Sequence, residues 1–241
     1  MFEHLDYYYF FIFFIAYSFL GWVSEVIFHI FTVKKLINRG FLHGPVCPIY
    51  GSGAVVMILC LTPLIDNTIY LFAGGFILAT VLEYITGYVL ELSFDTKWWD
   101  YTNEKFNIKG YVCLRFSLLW GLAAVFMMRV LHPKIANVAY SIPSFALEPL
   151  YHALLIIFVI DATLTVNSLI ELRTILSELR LIKEELDEKI KTRDSLLRQR
   201  IEKVAIRIKG HHISLMESYP NLISGKLEHV IEDIRNRRRK R

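Results

Sequence analysis

Charge is scarce over most of this chain. From Met1 to Ser168 there are nine Lys and Arg against eleven Asp and Glu, a net of −2. The whole sequence is 54% hydrophobic, with a mean hydropathy of +0.41. Such a composition excludes an ordinary soluble domain. Cysteine is scarce too. Cys47, Cys60 and Cys113 have no metal-like spacing, and an odd count excludes a fully paired set within one chain. They read as small apolar fillers. The N-terminus lacks the basic region and the small-residue cleavage site of a signal peptide. "MFEHLDYYYFFIFFIAYSF" begins acidic and runs long, so it is expected to stay as a first membrane span. There is no repeat of solenoid type and no low-complexity linker.

What is present is a series of long apolar runs. A helix that crosses the hydrocarbon core needs roughly 20 mostly apolar residues. Five segments are expected to do so, at about Tyr7–Val33, Ile49–Leu64, Ile69–Phe94, Tyr111–Leu131 and Leu147–Ser168. The second is short. It either draws on "GPVCP" to reach across or is partly re-entrant. Basic residues fall in alternate connections: Lys34, Lys35 and Arg39 after the first span, and Lys97, Lys105 and Lys109 after the third. The fifth span is followed by 18 more. The positive-inside rule then puts the N-terminus outside and the C-terminus in the cytosol.

From Leu169 to Arg241 the balance reverses, with 18 basic and 12 acidic residues, a net of +6. Leu172, Leu176, Leu179, Leu186, Ile190, Leu197 and Val204 recur at steps of three, four or seven. Glu185–Lys189 and Asp187–Lys191 are acid-first pairs four apart. This is an amphipathic helix that would reach roughly 60 Å if straight. Either it pairs as a coiled coil, with Lys183, Arg193, Arg200 and Arg207 breaking the seam, or it is a solvated helix that folds back on itself or on the cytosolic loops. Gly210 and Pro220 break it. Adjacent His211 and His212 face different sides of any regular helix and make a poor metal pair. Leu227, Val230, Ile231 and Ile234 share one face of a last short helix. The expected fold is all-α: a polytopic bundle over residues 1–168, a cytosolic amphipathic helix over 169–209, and a short helix with a polybasic end over 210–241. In that end, Arg235, Arg237, Arg238, Arg239, Lys240 and Arg241 are candidates for anionic lipid. A tail tethered to a membrane meets lipid before nucleic acid, so no nucleic-acid partner is expected.

Charges inside apolar spans are the candidates for function. An ionised carboxylate at the centre of a spanning helix costs on the order of 3 kcal/mol on insertion scales. Glu83, Gly87 and Glu91 are spaced by four and form one stripe. Glu25 should lie at a depth similar to Glu91, with Arg115 as a natural partner, and Asp161 is a weaker member. These five read either as a polar vestibule for a cation, an amine or protons, or as an ion-pair network that locks the bundle. In "WWDYTNEKFNIKG", Trp98, Trp99 and Tyr101 suit the membrane boundary. Alternatively, Trp99, Asp100, Tyr101 and Asn107 cap the vestibule.

"NRGFLHGPVCPIYGSG" raises the question of a phosphate cradle, but G-x-x-x-x-G-K-[ST] is absent. A zinc site built from His43 and Cys47 would need two more ligands. Pro45 and Pro48 stop a regular helix. Gly51 and Gly53 allow close backbone approach at the start of the second span. Free N–H groups there, with Arg39 nearby, could hold an anion. H-E-x-x-H and G-x-S-x-G are also absent. The chain is therefore expected not to be an enzyme and to need no cofactor or metal.

"GWVSEV", "NRGFLHGPVCPIYGSG", "EYITGYVLE", "WWDYTNEKFNIKGYVCLRFSLLWG" and "HP" at His132–Pro133 together resemble the bacterial integral-membrane family described as putative ABC-transporter type IV, or CmpB-like permease. The motifs run in order from Gly21 to Pro133. In the loop the matching residues are Asn38, Arg39, Gly40, Gly44, Pro45, Cys47, Pro48, Tyr50 and Gly51, with Ser117, Trp120 and Gly121 further on. The resemblance implies a multi-pass permease, chiefly of Gram-positive bacteria, working with a separate ATPase in the cell membrane. Five spans are few for a pore, so two or more copies are expected. The other expectation is a membrane scaffold or regulator acting through the cytosolic helix and basic tail.

Overall fold

The computed structural model describes residues 6–33, 42–94 and 97–188, together with 203, 204, 207, 208, 212 and 216. The described chain is almost wholly helical. Its helices are α1 (Asp6–Val33), α2 (Pro48–Leu61, prolonged by a 3₁₀ turn Thr62–Leu64), α3 (Thr68–Phe94), α4 (Leu114–Phe126), α5 (His132–Tyr140) and α6 (Ser144–Glu188). One small antiparallel hairpin, β1 (Asn107–Ile108) with β2 (Val112–Cys113), joins α3 to α4. Among the described residues, four stretches are long and apolar enough to cross a membrane: Tyr7–Phe31, Thr68–Ser93, Leu114–Tyr140 and Ser144–Leu179. Pro48–Leu64 is apolar but shorter.

Two spans differ in extent from the expectation. The fourth does not stop at Leu131. A π-helical segment, Met127–Leu131, carries α4 into α5 through Pro133. Proline has no N–H to donate and crowds the carbonyl four residues back, and the wider π turn absorbs that mismatch. The fifth does not end at Ser168, because α6 runs on unbroken to Glu188.

The second pass is a half-helix. The fourteen residues of α2 rise about 21 Å and the 3₁₀ turn adds roughly 6 Å, together still short of a hydrocarbon core of about 30 Å. Its position is set by α1. Cys47, just before α2, donates its N–H to the Ser18 carbonyl at 2.9 Å, and Ser18 is close to the midpoint of α1. Further along α2, Val55 and Val56 face Phe10, Phe11 and Tyr7. So α2 starts midway along α1 and runs antiparallel to its first half. The approach is close because Gly51 lies against Ser18 and the Phe14 carbonyl, where a Cβ would collide. Gly53 plays no such part; the nearest atom to a Cβ there is on Leu82, at 4.0 Å.

The core of residues 1–162 is built from Phe13, Tyr17, Met57, Leu61, Leu71 and Met128, with alanines between them. A shallow apolar groove of about 440 Å³ lies between α1, α2 and α6, lined by Phe10, Phe14, Val55 and Tyr151 among others.

Residues 163–241 form a second unit. Leu169, Leu172, Ile175 and Leu179 make a buried stripe on α6. Val204, Ile208, His212 and Met216 are also buried, at intervals of four. Arg207 Nη1 donates to both oxygens of Glu178, at 2.8 and 2.9 Å, so this segment folds back on the helix it follows. The pairs Glu185–Lys189 and Asp187–Lys191, and Gly210, His211, Pro220 and the Leu227–Ile234 face, lie outside the side chains described.

Candidate functional site

The non-helical segment 42–47 lies beside the middle of α1, where unpaired backbone donors would be costly. The N–H groups of residues 43–47 are accounted for one by one. His43 and Gly44 donate to the two oxygens of Asp161 on α6, at 3.1 and 2.9 Å. Val46 donates to the Gly44 carbonyl at 2.8 Å, and Cys47 to Ser18. Pro45 and Pro48 have no N–H to satisfy. The His43 imidazole also approaches Asp161, at 3.7 Å. Asp161 is therefore the clasp that holds the broken segment in the bundle.

The break delivers Tyr50 to Glu25. Tyr50 is in the first turn of α2, its ring lies over Gly21, and its hydroxyl donates to Glu25 Oε1 at 2.5 Å. On the other side of the same cluster, the Tyr101 hydroxyl donates to Glu83 Oε1 at 3.2 Å. Trp120 bridges the two halves. Its ring meets that of Tyr50 at 6.0 Å, and its indole N–H faces Glu83. That last contact falls short of a full hydrogen bond, so Trp120 Nε1 and Glu83 Oε2 are buried without a partner among the described residues. The Tyr101 phenol is pushed up by burial first, then by the charge of Glu83, with Glu25 contributing. One phenol thus feels both carboxylates. Tyr17 Oη, Ser18 Oγ and His132 Nδ1 are further buried polar atoms with no described partner along α1 and α5.

The hairpin segment 97–113 forms the wall on which Tyr101 is mounted. Trp99 Nε1 donates to the Tyr111 carbonyl at 2.8 Å, and Tyr101 stacks on Phe116 at 4.7 Å. Asn107 ties the turn together, donating to the carbonyls of Thr102 and Glu104 and accepting from Gly110 N. Gly110 has φ +75°, which favours glycine, and a Cβ there would strike Asp100. The Asp100 carboxyl is held below its ordinary range, chiefly by the Thr102 hydroxyl. Gly87 gives the wall its seat on α3: a Cβ there would sit 3.1 Å from Tyr111 and 3.2 Å from Trp99.

The five charges expected to share a vestibule fall in four places. Glu25 and Glu83 come together around Tyr101. Glu91 faces the Tyr111 phenol, which the neighbouring carboxylate, ahead of burial, pushes up to about 12. Arg115 pairs not with these carboxylates but with Glu104, at 3.5 Å on the exposed rim. Asp161 holds the broken segment. Trp98 is only 6% exposed, and Trp99 and Tyr101 are held by internal partners, so these rings face inward rather than forming an outer belt. Asn38, Arg39 and Gly40, and the basic end Arg235–Arg241, lie outside the described residues. Sequence reasoning did not assign the hydroxyl of Tyr50 or the rings of Trp120, Tyr111 and Phe116 to the carboxylates. The available signal was an aromatic in the first turn of α2, two residues after the helix-breaking Pro48.

The described residues contain no group of three or more His, Cys, Asp or Glu side chains able to hold a metal ion. A model of the family described as putative ABC-transporter type IV matches residues 12–166, which include most of α1, all of α2 to α5, the broken segment and every residue of the carboxylate cluster. No curated protein and no solved structure matches the chain.

Proposed function

This chain belongs to the putative ABC-transporter type IV family, and from that premise we propose that it is the membrane-spanning permease subunit of a transporter driven by a separate ATPase. It is a multi-pass membrane protein, and the ATP chemistry is assigned to the partner. The observation that carries the reading is the half-helix α2, whose start brings Tyr50 to Glu25 next to Glu83. Broken helices that start at mid-membrane are the usual way a transporter exposes polar groups there. Irregular backbone at that depth is tolerated only where protein or a wet cavity surrounds it. The Glu25–Tyr50–Trp120–Tyr101–Glu83 cluster is the polar step of the path, and it suits a cationic or amine-bearing solute, or protons. The N-terminus is read as outside and the C-terminus as cytosolic in a bacterial cell membrane, supported by the basic residues of alternate loops. The polybasic end is read as a contact for anionic lipid. A pore shared by two or more copies fits the small number of spans.

Co-purification from the native membrane identifies the ATPase, and ATP-driven flux in vesicles with the pair tests the role. Glu83→Gln is expected to lower flux at least tenfold while the protein still assembles with its partner. Undiminished flux in Glu83→Gln would contradict the proposal. A scaffold role is the second reading, favoured by the fold-back of the segment carrying Arg207 onto α6. It predicts that removal of residues 169–241 abolishes the cellular phenotype and leaves Glu83→Gln silent.

A further inference from the structure

The hairpin between α3 and α4 presents an apolar tip. Phe106 is 78% exposed and Ile108 56% exposed, while the other aromatics of this loop face inward. The exposure is built, not loose. Phe106 and Lys109 hold φ of 55° and 53°, in the left-handed region that side-chain-bearing residues rarely adopt. The Asn107 side chain locks the turn from both sides. Strained, braced residues of this kind point to use.

Charge selects the partner. Asp100 is matched by Lys97 at 3.9 Å, and Glu104 by Arg115 at 3.5 Å. Lys105 and Lys109, the residues flanking the tip, are exposed and have no ion pair among the described residues. The tip is therefore apolar with a positive rim. Its level is set by α3. Tyr101 reaches back to Glu83, and Trp99 and Tyr111 pack on Gly87, while the apolar stretch of α3 continues to Ser93. The hairpin thus lies alongside the last turns of a spanning helix instead of projecting beyond it.

We propose that the hairpin tip, Lys105 to Lys109, docks on anionic phospholipid headgroups of the membrane the protein spans. Phe106 and Ile108 enter the headgroup–acyl boundary, and Lys105 and Lys109 meet the phosphates. Apolar side chains beside lysines are the recognised pattern for such a boundary, and anionic lipid adds electrostatic attraction. Docking would fix the hairpin that carries Tyr101, and so the wall of the carboxylate cluster, to the bilayer surface.

The test uses the full chain in vesicles. Cys60, the exposed cysteine, is replaced by alanine, and the buried Cys47 and Cys113 stay. Phe106→Cys, and separately Ile108→Cys, carry an environment-sensitive fluorophore. In phosphatidylcholine vesicles containing phosphatidylglycerol, emission is expected to shift to the blue and to be quenched by brominated acyl chains. Quenching should fall at least twofold without phosphatidylglycerol or in a Lys105→Gln, Lys109→Gln background. Emission that is quenched by aqueous iodide but not by brominated lipid, at both positions, would overturn the proposal and leave the tip to a protein partner. Bromolipid quenching that ignores phosphatidylglycerol would refute the headgroup contact.

Discussion

At the scale of single residues, the two tyrosine–carboxylate pairs are the most exacting feature. A neutral hydrogen bond contributes a net of roughly 1 kcal/mol, but a buried carboxylate left without its donor costs about 1–3 kcal/mol or more. Tyr101→Phe removes the donor to Glu83, whose second oxygen already has no described partner. It is expected to destabilise the detergent-solubilised protein by about 1–3 kcal/mol, read from thermal unfolding. The same melts run against pH separate two causes. Burial and the neighbouring carboxylates raise the Tyr101 phenol above its ordinary 10.0. A raised folded value contributes stability that is full below the unfolded value and is lost as pH rises through the folded one. Wild type should therefore lose stability progressively above pH 10, Tyr111 adding to the loss as it approaches about 12. Tyr101→Phe should lose less over that window. A flat profile above pH 10 would contradict the buried geometry of both phenols. The carboxylates themselves were legible in the sequence, because a charge inside an apolar run is conspicuous. Their partners were not, since an aromatic side chain gives no sign of which helix it will face.

At the scale of elements, the second pass shows what a sequence can and cannot specify. Pro45 and Pro48 make the helix break legible, since neither can continue a backbone ladder. The depth of the break was not, because it depends on where Cys47 meets α1 and on Asp161, a carboxylate 117 positions from the Gly44 it holds. The π segment before Pro133 was hidden for a similar reason: hydropathy is indifferent to how many residues make a turn. Two neighbouring glycines give a direct test of the α1–α2 contact. Gly51→Ala places a methyl against Ser18 and the Phe14 backbone, and should destabilise by about 1–3 kcal/mol through overpacking. Gly53→Ala meets only Leu82 at 4.0 Å. It should be neutral or stabilise by about 0.5–1 kcal/mol through helix propensity. Equal effects in thermal unfolding would mean that α2 does not pack on α1 as described.

At the scale of the whole molecule, the number and order of apolar runs made an all-α membrane bundle evident, and the family match agrees. The assembly of Glu25 with Glu83 was only half legible. Periodicity linked Glu83 to Glu91, whereas packing joins Glu83 to Glu25 and gives Glu91 to Tyr111. The central claim is that the broken second pass lines a path and does not merely seal the bundle. Cys47 stands at that break and is 4% exposed. The most direct measurement is its reaction with a water-soluble maleimide in cells carrying Cys60→Ala and Cys113→Ala, with and without ATP depletion. The account predicts labelling of Cys47 in energised cells that falls sharply when ATP is removed. Cys47 equally unreactive in both states, in protein that is folded and inserted, would contradict it.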